Sequence, residues 1–297
     1  MKKILFAAAA MAAALFASCD KEYNNVTPLQ PDTPDGARVT ISLTDNAGTR
    51  TFFDTAAAAE AWEKTLSSLS VFAFDNGGGL IIRRDFTPAE LGAKSATFAL
   101  PKSVAGTSCS FYAVANYDAT SAKTQSALTS LLEKSAGDYN GTFSEVTTAA
   151  KRSGGFVMSG QTTQAVGAVN STTHVGITLK RTVAKVALQT TIDPAFSEKY
   201  GGSLTINSVK LSKAASQSTV IAGTPTPGAM SYTHTQTPAS ASGKYNALFY
   251  CFENGALTAG NRVSLEIDAT YDMDGSDTTT DDRSEVTYSV ELTGKAA

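Results

Sequence analysis

Arg38-Val39-Thr40-Ile41-Ser42-Leu43 alternates polar and apolar side chains without a break. A period of two sets Val39, Ile41 and Leu43 on one face of an extended chain and Thr40 and Ser42 on the other, as in a strand with one face buried. Alternating or β-branched runs recur at 69–74, 80–82, 97–100, 110–115, 155–158, 175–179, 184–192, 204–211, 244–252, 262–271 and 285–292. Turn-forming clusters such as Asp75-Asn76-Gly77-Gly78-Gly79 separate them. Many short strands so punctuated predict a mainly β protein of sandwich architecture.

Two stretches break the pattern. Residues 55–66 are Ala-rich around Trp62, and residues 121–132 carry Leu128, Leu131 and Leu132 at helical spacing behind Ser121, a candidate N-cap. Each predicts a short helix over the core of the first half, with a partner-binding helix as the competing reading. Residues 164–173, rich in Gly, Ser, Thr and Asn, divide the folded part into domains at 38–170 and 171–297. Residues 223–243, with Pro225, Pro227 and Pro238, predict a long loop inside the second half, and a loop of that length suggests contact with a neighbouring molecule.

Composition narrows the function. Hydrophobic residues make up 42% of the 297, enough for a substantial core, and the net charge of -3 lacks the clustered basic face that nucleic acid requires. Cys109 and Cys251 each lie inside a hydrophobic run and in different halves, so they read as buried thiols and not as a disulfide. His174 and His234 have no Cys or carboxylate cluster at ligand spacing, and no nucleophile-base pair or paired acidic site emerges, so neither an enzyme nor a cofactor is expected. The one carboxylate cluster is Asp272-Met273-Asp274-Gly275-Ser276-Asp277 with Asp281 and Asp282. Its Gly stands fourth where a calcium-binding EF-hand loop needs it sixth, and no Glu stands twelfth. A polar hairpin tip is the preferred reading, and no metal is assigned.

The N-terminus carries an address. Met1-Lys2-Lys3, the uncharged apolar run 4–16 and Ala17-Ser18 form a secretory signal over residues 1–18, too short for a comfortable membrane span. Phe16-Ala17-Ser18-Cys19 resembles the lipobox of bacterial lipoproteins, with Phe where Leu is usual, and this implies acylation (palmitate) of Cys19 as the mature first residue. An ordinary signal peptide is the competing reading. Residues 19–37, polar with Pro28, Pro31 and Pro34, then read as a lipidated extended tether. Asp20-Lys21-Glu22 looks like the charged signal that sends lipoproteins of Bacteroidetes-type bacteria to the outer face of the outer membrane.

The order of several stretches resembles the fimbrillin and fimbrillin-associated lipoproteins of Bacteroidetes, the subunits of type V pili. These are 38–43 leading to Gly48-Thr49-Arg50-Thr51-Phe52, then Leu69-Ser70-Val71-Phe72-Ala73-Phe74 and Tyr112-Ala113-Val114-Ala115-Asn116. Residues 177–186 and Tyr250-Cys251-Phe252-Glu253-Asn254 follow in the same order. The resemblance implies two transthyretin-like β-sandwich domains in tandem, and polymerisation by strand exchange after an Arg-specific protease removes the lipidated N-terminal segment with its first strand. Carried onto this chain, the cut follows Arg50 and removes Val39, Ile41 and Leu43, whereas a cut after Arg38 would leave that strand in place. A solvated loop arginine is the competing reading of Arg50.

At the other end, stalk subunits of the family carry an extra donor strand, while this chain stops at Leu292-Thr293-Gly294-Lys295-Ala296-Ala297. Either the natural chain runs further, or this subunit accepts a strand without donating one.

The expectation is therefore a lipoprotein precursor of a surface fimbria that supports cell adhesion. It is anchored in the outer membrane before processing, and its partners are other fimbrial subunits. The alternative is a non-polymerising outer-membrane surface lipoprotein that binds carbohydrate or another cell-surface ligand.

Overall fold

The fold was analysed in a computed structural model that describes residues 36–45, 62–134, 143–144, 147–148, 154–215, 217–222, 230–235, 244–252, 258–260, 262–276 and 278–292. The chain is mainly β. Strands β1 Gly36–Asp45, β2 Leu69–Phe74, β3 Leu80–Asp85, β4 Ser95–Pro101 and β5 Ser108–Ala115 come first. Three two-residue strands follow, β6 Leu132–Glu133, β7 Phe143–Ser144 and β8 Thr147–Thr148, then β9 Met158–Ala165, β10 Thr172–Arg181 and β11 Val183–Thr191. The last six are β12 Ser203–Ala214, β13 Ser218–Thr219, β14 Met230–Thr235, β15 Lys244–Phe252, β16 Ser264–Asp272 and β17 Arg283–Glu291. The described residues also hold three short helices, α1 Pro88–Ala93, α2 Gln125–Thr129 and α3 Phe196–Tyr200, and 3-10 turns at Trp62–Lys64 and Lys102–Val104.

The seven strands β3-β2-β5-β9-β10-β1-β4 form the first sheet in that order. β10 pairs with β1 over eight residues but with β9 only at Lys180↔Ser159 and Arg181↔Met158. The sheet therefore splits into two leaves, β4-β1-β10 and β3-β2-β5-β9, whose inward residues form one buried cluster. Gly160 makes the approach of β9 to β10 possible, because a Cβ there would lie 2.3 Å from the carbonyl oxygen of Thr178. The opposite face of β2 and β5 is also covered: Phe72, Phe74, Tyr112 and Val114 pack with Leu128 of α2 and with Val220 and Ile221 of the second half.

The second half pairs β14-β12-β16-β17 as one sheet and β11-β15 as another, with Val209, Leu211, Phe249 and Leu265 buried together. β17 is consumed inside this half by antiparallel pairing with β16. Tyr288 and Val290 on it are exposed.

The strand pattern expected from sequence is present, with four differences. β10 belongs to the first sheet, so the passage to the second half falls at Thr182 and not at 170/171. The polar connection between β9 and β10 is a tight turn closed by Ser171 N donating to Ala168 O and Gly167 N to the Thr173 hydroxyl. The helix expected over 121–132 shortens to α2, because Thr124 and not Ser121 supplies the cap, with its hydroxyl accepting from Ala127 N, and Leu132 enters β6 to pair with β13. The expected loop 223–243 contains β14, held by β12. Of the helix expected over 55–66, residues 55–61 lie outside the described residues and Trp62–Lys64 is a 3-10 turn.

Among the described residues no helix is long and apolar enough to cross a membrane. Cys109 and Cys251 are buried and free. Burial pushes the Cys251 thiol up to about 11 and raises that of Cys109 as well. Neither thiol should therefore react with iodoacetamide at neutral pH until the chain unfolds, and rapid labelling of the native protein, read by intact mass, would contradict this burial. Gly160→Ala should cost about 1–3 kcal/mol in urea denaturation by forcing the leaves apart.

Candidate functional site

β1 is the middle strand of its leaf. It runs parallel to β10 with Arg38↔Thr172 through Asp45↔Leu179 in register, and antiparallel to β4 from Gly36↔Pro101 to Ser42↔Ser95. Among the described residues β4 pairs with no strand except β1, and β10 has only its two-residue contact with β9 besides. Ala37, Val39, Ile41 and Leu43 point into the core, none more than 7% exposed, against Phe98 and Leu100 of β4, Val175 and Ile177 of β10 and Phe111 of β5.

Hydroxyls fix the register from the outer face. Those of Thr40 and Thr97 lie 2.9 Å apart, and those of Thr44 and Thr178 3.0 Å. Beyond the last β4 pair, Leu43 N donates to the Lys94 carbonyl at 2.9 Å. Lys94 closes α1 with a positive φ of 52°, and α1 itself starts with a Thr87/Glu90 capping box and Pro88, so this short helix sets where β4 begins.

Magnitudes show how much depends on this strand. Burying Val39, Ile41 and Leu43 contributes about 2 kcal/mol each before entropy is counted. That sum rivals the net stability of about 5–15 kcal/mol typical of a whole domain.

Downstream, Trp62 and Glu63 tie the two halves together. Trp62 packs against Phe156 and Tyr250 at ring separations of 5.0 and 5.5 Å. The Glu63 carboxylate, 4% exposed, accepts from Lys185 Nζ of β11 and from the Tyr250 hydroxyl of β15, both at 2.7 Å. Arg181, the last residue of β10, donates to the Glu63 carbonyl at 3.2 Å. This cluster was not foreseen. The signal for it is a charge inside the strand-like run 184–192, where a Lys flanked by apolar residues needs a partner when both faces of the strand are covered.

Cys19 and Arg50 lie outside the described residues, and Val39, Ile41 and Leu43 come together as the inner face of β1. In the acidic hairpin tip, carboxylate oxygens of Asp272, Asp274 and Asp282 converge to within 4.8 Å. Loop donors already meet them: Gly275 N and Arg283 Nε on Asp272, Ser276 N and the Thr279 hydroxyl on Asp274, and Asp274 N on Asp282. The hydrogen bond from Ser276 N is the chief reason that the Asp274 carboxyl is held below its ordinary range.

A sequence profile of the family described as "Major fimbrial subunit protein (FimA)" matches residues 37–211. The chain belongs to this fimbrial subunit family. The match begins inside β1 and runs into β12, so it covers the whole first sheet and part of the second half. No curated protein matches the sequence significantly.

Solved structures share the fold. A candidate cell adhesion protein from Parabacteroides distasonis superposes with a TM-score of 0.59 at 12% identity, covering 88% of this chain and 82% of that one. A candidate cell adhesion protein from Bacteroides eggerthii gives 0.54 at 18% identity, covering 91% and 82%. The tip fimbrial protein Mfa3 from Porphyromonas gingivalis, with a C-terminal truncation, gives 0.55 at 15% identity, covering 88% and 83%. Membership places the chain among the subunits of cell-surface fimbriae.

For the fimbrial subunit, Glu63→Ala should cost about 3–5 kcal/mol in urea denaturation, because it removes the carboxylate that faces the Lys185 ammonium in the junction. Adding Lys185→Met should restore part of that loss. Equal stability of Glu63→Ala and the parent chain would mean that the junction ion pair contributes nothing.

Proposed function

We propose that the chain is the lipid-anchored precursor of a fimbrial structural subunit, processed after Arg50 and assembled by strand exchange. The observation that carries this reading is the place of β1 as the strand that joins β4 to β10. Losing it opens two unpaired edges and an apolar floor, and an incoming strand regains both ladders and the burial, which is the logic of β-augmentation.

Cys19 anchors the precursor in the outer membrane through its acyl chains, and residues 20–35 span the distance to β1. An Arg-specific protease cuts after Arg50, severing anchor and β1 together from the remainder. The vacated slot then takes a strand from another fimbrial subunit. Two sandwich domains that meet at Thr182 form the repeating body, with Trp62 and Glu63 holding them in line.

Digestion of the purified precursor by an Arg-specific protease tests the reading. The parent chain mixed with stalk subunits should form SDS-resistant ladders, Arg50→Ala should form none, and Cys19→Ser should lose membrane attachment yet still assemble once cut. A cleaved chain that stays monomeric in the presence of donor-bearing subunits would favour a non-polymerising surface lipoprotein instead.

A further inference from the structure

Independently of any cut in the chain, we infer that β17 is a self-complementary edge through which two copies of this subunit join side by side, antiparallel about a two-fold axis at Thr287. The strand pairs with β16 along its whole length, from Asp272↔Arg283 to Ser264↔Glu291, without a register shift. It closes the sheet β14-β12-β16-β17, so its other side meets no strand among the described residues. A long, regular edge is a template for another strand, and natural edges are commonly spoiled by a bulge, a proline or a lysine. β3 and β14, at the edges of their sheets, pair across register shifts, and β3 also carries Arg83 and Arg84. β17 has no shift, no proline and no lysine.

Apolar surface lies along the same edge. Val286, Tyr288 and Val290 stand opposite Ala269, Ile267 and Leu265 of β16, and so share the face that those residues turn to the core. The facing layer, β11-β15, has two strands against the four of this sheet. Val286 packs into the core, whereas Tyr288 is 52% exposed and Val290 59%. A neighbouring strand would cover part of both.

Charge points to the occupant and the register. Directly opposite residues of an antiparallel pair share a face, so a two-fold pair that keeps both core faces on one side is centred on a single residue. Centred on Thr287, all of β17 is paired: Arg283 faces Glu291 of the second copy, Glu285 faces Ser289 and Val286 faces Tyr288, each twice. Centred on Tyr288, Glu285 faces Glu291; centred on Val286, Glu291 faces Asp281. Of these three registers, only the first opposes no like charges. Within the chain Arg283 also donates to Asp272, and Glu291 accepts from Arg262 and Gly260 N. A guanidinium has several donors and a carboxylate several acceptor sites, so both can hold partners on two sides. One strand per copy makes a small interface, and pairing therefore depends on protein concentration.

Cysteine pairing in the full chain, held in detergent, tests this. Thr287 and Ser289 are both exposed. Under mild oxidation Thr287→Cys should give a disulfide-linked dimer on non-reducing gels, because the axis sets the two thiols directly opposite. Ser289→Cys, whose thiols would lie about 14 Å apart along the strands, should give no more dimer than the parent chain. In the parent chain, hydrogen exchange along β17 should slow as protein concentration rises. Tyr288→Lys, at an exposed position, should weaken the dimer about tenfold in sedimentation, since the substitution acts twice across the axis. Equal dimer yields from the two cysteine variants overturn the inference. So does a chain that stays monomeric with β17 exchange independent of concentration.

Discussion

Two ladders meet on one ten-residue strand, and the first sandwich depends on that. β4 and β10 are distant in sequence, and among the described residues they are joined in the sheet only through β1. A parallel partner on one side and an antiparallel one on the other make β1 an interior strand, the position with most backbone pairing and least exposure to solvent. Among the described residues β1 comes first in the chain, so the strand that contributes most to its leaf is also the earliest of them.

The second half is not an independent appendage. Val220 and Ile221 cover the outer face of β2 and β5, β13 pairs with β6, and Tyr250 and Lys185 close on Trp62 and Glu63. A buried carboxylate that shares one oxygen between a lysine and a tyrosine is costly to desolvate, and it adds geometric specificity at a junction where apolar packing alone would tolerate sliding. Asn116 does similar work nearby, with its side-chain amide donating to Thr65 and Phe156 carbonyls while its oxygen accepts from Ser67 and Ser68. Residues 62–68 are thereby pinned to both halves.

What was legible in the sequence follows from how burial writes itself into a chain. β1 and β10 bury one face each, so Val39, Ile41 and Leu43, and then Val175, Ile177 and Leu179, stand out at a period of two. β9 is less legible: beyond Ser159 its residues are part-exposed or exposed, and Gln164 and Ala165, which open the polar run 164–173, pair with Cys109 and Ser108 of β5. The turn that follows lies inside that run, and β10 beyond it returns to the first sheet. α2 was misplaced because Leu131 and Leu132 extend the helical spacing past the point where the backbone leaves the helix. The Glu63 cluster leaves one trace in the sequence, the charge of Lys185 inside an apolar run, but Glu63 stands 122 residues from that lysine and only the fold brings them together.

β10 leads through a single residue, Thr182, into β11 of the second half. Because β1 and β10 run in the same direction, a pull on the chain ahead of Gly36 and an opposing pull on the second half slide the two strands along each other. Eight residue pairs then share the tension in shear, where an antiparallel hairpin pulled at its open end would unzip pair by pair. β1 thus resists being drawn out lengthwise by loading all of its pairs with β10 at once.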